Sequence, residues 1–112
     1  MKKYQLGEFE EIVLLTVGVL YGGAYGVAIK ERIEQKLERK VSVGALQSAL
    51  RRMESKGYLG SELGETTKER GGKRKRYFKI TSLGKKALDY NIQTRMELWN
   101  QIPDVAWEFK LC

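Results

Sequence analysis

Between Leu6 and Tyr21 the chain is apolar on nearly every side of a helix, and no other stretch limits the fold as much. Leu6, Phe9, Val13, Thr16, Val17 and Leu20 recur at three- and four-residue steps along one face, while Ile12, Leu14, Leu15 and Val19 fall elsewhere on the circumference. A helix of this kind must be covered on more than one side. In 112 residues, enough for one domain, the cover comes from the rest of that domain or from a second protomer. The second half of the sequence favours the second protomer.

Gly22 and Gly23 end the first helix. A second helix is predicted from about Ala24 to Arg39, with Tyr25, Ile29, Ile33 and Leu37 at four-residue spacing and Lys30, Glu31, Glu34, Gln35 and Glu38 turned away. That polar side reads as solvated surface, on which Lys30 and Lys40 have only a secondary claim to a phosphate. Ser42 is placed to cap a third helix, Val43 to Lys56, and Gly57 to end it. Winding it at 100° per residue gathers Val43, Leu46, Ala49, Leu50 and Met53 on one side and Gly44, Ser48, Arg51, Arg52 and Ser55 on the other. The outward side starts small and becomes cationic. Alone it is an ordinary surface helix; the charged segment C-terminal to it changes its meaning.

Lys68 to Lys79, KERGGKRKRYFK, holds seven of the 21 basic residues and one of the 14 acidic ones, a net charge of +6 out of the chain's +7. The glycine pair and the aromatic run Tyr77–Phe78 make it a hairpin tip and not a solvated tail. Its strands are expected at Tyr58 to Leu63, with Leu59 and Leu63 inward, and at Arg74 to Ile80, with a loop from Gly64 to Lys73. Three helices followed by a hairpin form a winged helix-turn-helix. There the third helix enters the major groove and the hairpin lies along the backbone or in the minor groove. Gly44 allows close approach, Gln47 and Ser48 can hydrogen-bond base edges, Arg51 can reach a guanine or a phosphate, and the wing cations neutralise phosphates.

A last helix is expected from Thr81 or Ser82 to about Ile102, stopped by Pro103, with Leu83, Ala87, Tyr90 and Leu98 on one stripe and Leu88, Ile92, Met96, Trp99 and Ile102 on another. One stripe packs on its own domain and the other needs a partner. With the over-apolar first helix, this argues for a homodimer that presents two reading helices to a two-fold DNA site, with half-sites about 10 bp or a multiple apart. The chain divides into a winged-helix domain, 1–80, and a dimerisation helix with an apolar tail, 81–112. Val105, Trp107, Phe109 and Leu111 alternate in that tail, which is expected to fold back onto the dimer or close a cavity, as a strand or as a short helix.

Other functions find little support. The chain has no histidine, and its one cysteine, Cys112, precludes an intrachain disulfide and fits a reducing, cytoplasmic setting. No paired-Cys metal spacing, P-loop or G-x-G-x-x-G occurs, which argues against an enzyme and leaves no cofactor to expect. The apolar run Ile12 to Tyr21 is about half of a membrane span. A winged helix that docks its basic tip on an acidic protein is the main alternative to DNA; RNA is weaker, because no platform of exposed aromatics is evident for stacking single-stranded bases.

Four stretches, in order, make the sequence resemble the PadR-like family of bacterial transcriptional regulators: Leu6-Gly7-Glu8-Phe9-Glu10; Ala24-Tyr25-Gly26; Ser42-Val43-Gly44-Ala45-Leu46 continuing to Arg52-Met53-Glu54 and Lys56-Gly57; and Glu69-Arg70-Gly71-Gly72 with Arg74-Lys75-Arg76-Tyr77 before Thr81. The resemblance covers about residues 5 to 88. It implies a mainly α fold with a small hairpin, a winged-helix dimer of the compact kind, and repression of a promoter. It also implies double-stranded DNA contacts from Ser42, Gly44, Gln47, Ser48 and Arg51 and from Arg70, Lys73, Arg74, Lys75 and Arg76. Gln47 departs from the aromatic residue common in the family, and its amide suits adenine. Compact relatives take flat aromatic effectors at the dimer interface. By that likeness Phe9, Val13, Leu88, Ile92, Met96 and Trp99 line an interface or effector pocket, with Trp99 serving either as effector platform or as plain interface core.

Overall fold

The computed structural model describes residues 4–64 and 74–109. Helix α1 spans Glu8–Val19, α2 Gly26–Leu37, α3 Val43–Ser55 and α4 Ser82–Gln101; strands β1, Leu59–Leu63, and β2, Arg76–Ile80, lie between α3 and α4. Three of the helices start where a side chain provides for the free N–H groups of a first turn. The Glu10 carboxylate reaches back to accept the Gly7 N–H at 3.2 Å, the Ser42 hydroxyl accepts Ala45 N–H at 3.2 Å, and the Thr81 hydroxyl accepts Gly84 N–H at 3.0 Å. Gly57, at φ +84°, turns the chain out of α3 into β1.

The core gathers Val13, Leu14 and Val17 of α1, Ile29 and Ile33 of α2, and Leu46, Ala49, Leu50 and Met53 of α3. Leu59, Phe78, Ala87 and Leu88 close it from the hairpin and α4. One domain therefore covers more of α1 than its main stripe, since Leu14 is fully buried too. The uncovered strip is Leu15 and Val19, 39% and 66% exposed.

Antiparallel β1 and β2 pair Leu59 with Ile80 and Leu63 with Arg76. Leu37, Val43 and Leu63, expected inward, are exposed. Val43 is 60% exposed, because the first turn of α3 overhangs the body, and Leu63 is 44% exposed, because β1 runs past the core before the hairpin turns. The wing is anchored on its far side as well: Phe78 N–H donates to the Ala24 carbonyl at 2.8 Å, and Tyr25 forms an isolated bridge with Tyr77.

In α4 burial changes along the length and not between two stripes. Gly84, Ala87 and Leu88 are buried, whereas Leu83 and every residue from Ile92 to Gln101 are exposed. The inner half is fixed by Asn91, whose Oδ1 accepts Leu6 N–H at 3.3 Å and whose Nδ2 donates to the Tyr4 carbonyl at 2.7 Å. The outer half projects beyond the body in a molecule 64 × 33 × 22 Å. After Pro103 a single 3-10 turn, Asp104–Trp107, brings Trp107 back against Trp99 with ring centres 5.6 Å apart. Over those residues the tail is a short helix and not a strand; Leu111 lies outside the described residues.

Candidate nucleic-acid interface

The outward side of α3 holds Ser42, Gly44, Gln47, Ser48 and Arg51, all exposed. The Ser42 hydroxyl is occupied as the helix cap. Arg51 has no ion pair among the described residues, but its neighbour Arg52, expected on the same outward side, is drawn off. Its Nε lies 3.2 Å from Oε2 of Glu10, which Lys56 Nζ also approaches at 3.7 Å. Glu10 sits on α1, 42 residues away in sequence, so the pairing has no local sequence signal.

On the wing, Arg74 donates from Nε to the Gly64 carbonyl at 2.6 Å and Arg76 from Nη1 to Ser61 Oγ at 2.9 Å. Lys75 lies over the Tyr25 ring, its Nζ 4.1 Å from the centroid. Arg70 and Lys73 fall outside the described residues. Between the start of α2, the first turns of α3 and β2 lies a cleft of about 350 Å³ bordered by Gln47, Lys30, Lys75 and Arg76. It joins α3 to the hairpin. Tyr25 also lines it, and sequence reasoning misses this residue because four-residue spacing assigns it to the core; its half-exposed ring beside a cationic strand is visible only in three dimensions.

The residues expected at the dimer or effector surface separate. Val13 and Leu88 belong to the core of a single chain, buried by its own helices, and have no surface for a partner. Phe9 is half-buried against that core, while Ile92, Met96 and Trp99 are exposed. A second cleft, about 510 Å³, runs between α1 and α2 over Ile12, Leu15 and Val19, with Arg32 and Lys36 at its edge.

Two neighbouring carboxylates on α1 are buried, each held by a different helix. Burial alone pushes the Glu10 carboxyl up, but the Gly7 N–H, the Arg52 hydrogen bond and the Lys56 and Arg52 charges together outweigh it and hold it below its ordinary value of 4.5. Glu11 pairs with Arg95 of α4, Oε1 lying 3.0 Å from Nη2 and Oε2 accepting from Nη1 at 3.1 Å. In α2 the Val41 N–H and then Lys30 hold the Glu34 carboxyl low, fixing the turn into α3. A carboxyl whose folded pKa is depressed contributes stability above its unfolded value and loses it as pH falls through the folded one. The urea midpoint is therefore expected to stay level from pH 7 to about 5 and to drop below about pH 4.5, and Glu10→Gln is expected to lower the neutral-pH midpoint and make the acid drop shallower. Urea titrations of both proteins across about pH 3 to 7 check it.

Among the described residues no group of three or more His, Cys, Asp and Glu side chains is placed to hold a metal, and no helix is long and apolar enough to cross a membrane. Solved structures share the fold. A PadR-like transcription factor from Bacteroides fragilis superposes with a TM-score of 0.70 at 26% identity, over 89% of this chain and 88% of that one. A PadR family transcription regulator from Clostridium difficile gives 0.58 at 29%, over 80% and 91%, and one from Eggerthella lenta 0.64 at 25%, over 83% and 80%. No match is found among curated protein sequences. The sequence model of the PadR-like transcriptional regulators matches residues 14–90, from the middle of α1 through the wing and into α4. With that match over more than half its length, the chain belongs to the PadR-like family of transcriptional regulators.

Proposed function

We propose that the chain is a sequence-reading repressor that binds a two-fold DNA operator as a homodimer. The carrying observation is the cleft in which Gln47 of α3 meets Lys75, just before β2, and Arg76, its first residue, which brings a base-reading helix and a backbone-binding wing to one site with apolar walls and a cationic edge. The work divides between them. Lys75 and Arg76, with Arg70, Lys73 and Arg74, supply sequence-independent, salt-sensitive affinity, and Gly44, Gln47, Ser48 and Arg51 supply discrimination of about 1–3 kcal/mol per good base contact.

Dimerisation rests on two unpartnered apolar surfaces of opposite charge. The exposed outer half of α4 and the turn after it carry Trp99 and Trp107 beside Glu97, Asp104 and Glu108, while the α1–α2 cleft is edged by Arg32 and Lys36. Repression, a cytoplasmic setting and a flat aromatic effector at Trp99 and Met96 are carried by family likeness together with these exposed aromatics. Trp99 as plain interface core stands beside the effector reading.

Replacing Gln47 and Ser48 by alanine is expected to narrow the ratio of operator to random-duplex affinity by about tenfold or more. Replacing Lys75 and Arg76 by alanine is expected to weaken all duplexes alike and to reduce the slope of log affinity against log salt by about 0.9 for each phosphate no longer neutralised. Fluorescence anisotropy at several salt concentrations separates the two, and titration at high duplex concentration is expected to saturate at two chains per operator. A salt-dependent protein complex with no preference among duplexes would instead favour the protein-docking role.

A further inference from the structure

The cleft beside Tyr25 has apolar walls, Val27, Val43, Leu46 and Phe78, and a polar edge of Lys30, Lys75, Arg76 and the Gln47 amide, and no carboxylate lines it among the described residues. Lys30 is also held by Glu34 of its own helix at 3.1 Å. Tyr25 is fixed from two directions: the Tyr77 ring meets it edge-on at 5.8 Å and 69°, and the Lys75 ammonium lies over its face at 4.1 Å. Its backbone is held as well, by the bridge to Tyr77. A fixed aromatic platform that carries a lysine, at the cationic edge of a largely apolar cleft, is suited to a single anion of defined position.

We propose that this cleft seats one phosphate of the DNA backbone, and that Tyr25 is the positioning residue, holding Lys75 toward the phosphate and donating its own hydroxyl to it. The inference rests on the DNA-binding reading and adds to it a specific ligand atom group and a residue outside both the reading helix and the wing. The physical reason is order. A lysine on an exposed strand end samples many rotamers, and the ring face restricts Lys75 before DNA arrives, so less side-chain freedom is lost on binding. Arg74 and Arg76, held by hairpin oxygens at 2.6 and 2.9 Å, are ordered by the wing itself. Lys75 is ordered from the start of α2. The same contact fixes the distance between the wing and α3, because Tyr25 immediately precedes α2 and borders the cleft with Gln47.

The test is a double-mutant cycle on the full chain, read by anisotropy with operator and scrambled duplexes at several salt concentrations, with the urea midpoint of each variant measured in parallel. Tyr25→Leu is expected to weaken both duplexes by the same factor, about five- to tenfold, and to reduce the salt slope by nearly one. Lys75→Ala is expected to do the same, and the two together to cost about threefold more than Lys75→Ala alone, the share of the lost hydroxyl, and well short of the product of the two single effects. Tyr25→Phe, which keeps the platform, is expected to leave the salt slope unchanged and to lose only the hydroxyl's share, about threefold. Additive effects of Tyr25→Leu and Lys75→Ala would overturn the inference, as would an unchanged salt slope for Tyr25→Leu with the wild type binding normally. A loss in Tyr25→Leu that follows its urea midpoint, with no coupling to Lys75, would assign Tyr25 to the fold alone and overturn it too. Failure of the wild type to bind any duplex would overturn the DNA-binding reading, and this inference with it.

Discussion

Replacing Arg51 by glutamate is expected to lower operator affinity by at least about a hundredfold while leaving the fold intact. Arg51 stands on the outward side of α3, exposed, and no ion pair among the described residues depends on it. The substitution removes an interaction worth about 1–3 kcal/mol and sets a negative charge against the phosphates. Each 1.4 kcal/mol is about a factor of ten, so loss and repulsion together exceed two powers of ten. The adjacent residue behaves differently. Arg52→Glu places two carboxylates together at Glu10, where Arg52 now donates at 3.2 Å, and its expected effect is on stability first. Anisotropy and urea titration of the two variants separate these outcomes: a binding defect with a normal midpoint for Arg51→Glu, and a lowered midpoint for Arg52→Glu. Unchanged affinity in Arg51→Glu would move the reading surface off this side of α3.

Gly84→Ala is expected to destabilise the fold by about 2–4 kcal/mol, among the largest single effects in the molecule. Gly84 is buried in the first turn of α4, and a Cβ there lands on the Tyr58 carbonyl oxygen and 2.9 Å from Ile80 Cγ2. The obstacle is backbone, and that backbone is committed. The Tyr58 carbonyl accepts Thr81 N–H at 3.0 Å, and the Thr81 hydroxyl donates to the Gly57 carbonyl at 2.5 Å, tying the start of α4 to the base of the wing. Relief requires lifting α4 from the hairpin. Gly44→Ala is the control. A Cβ there meets only Ser42 Oγ at 3.6 Å, so the fold is expected to hold, or to gain up to about 1 kcal/mol from helix propensity, while close approach to DNA suffers. Equilibrium urea unfolding of both variants checks this; an unchanged midpoint for Gly84→Ala would mean that α4 is not seated as described.

The elements are legible in the sequence wherever local chemistry decides them. Ser42 and Thr81 cap, Gly57 and Pro103 end helices, and the four-residue spacing of Ile29 and Ile33 marks a buried face. Burial at the margins is not legible, because it depends on where neighbouring elements stop. Leu14 and Leu15 are adjacent and equally apolar, yet one is core and the other is not. Val43 and Leu88 exchange their expected roles because α3 overhangs the body at its first turn and α4 leaves it only after Asn91. On α3, the outward placement of Gly44, Gln47, Ser48 and Arg51 is readable. The diversion of Arg52 to Glu10 and the seating of Lys75 on Tyr25 are not, since each joins positions far apart in sequence. Pairings of that kind leave no periodic signal.

Sequence reading by a dimer of winged helices meets its most direct test in one titration. The duplex upstream of this chain's own gene is compared with a scrambled duplex of equal length, by anisotropy at two salt concentrations. A preference of about a thousandfold that persists as salt rises is the expected result. Weak and equal binding to both duplexes that disappears with salt would contradict it, leaving a basic surface without sequence specificity for that duplex.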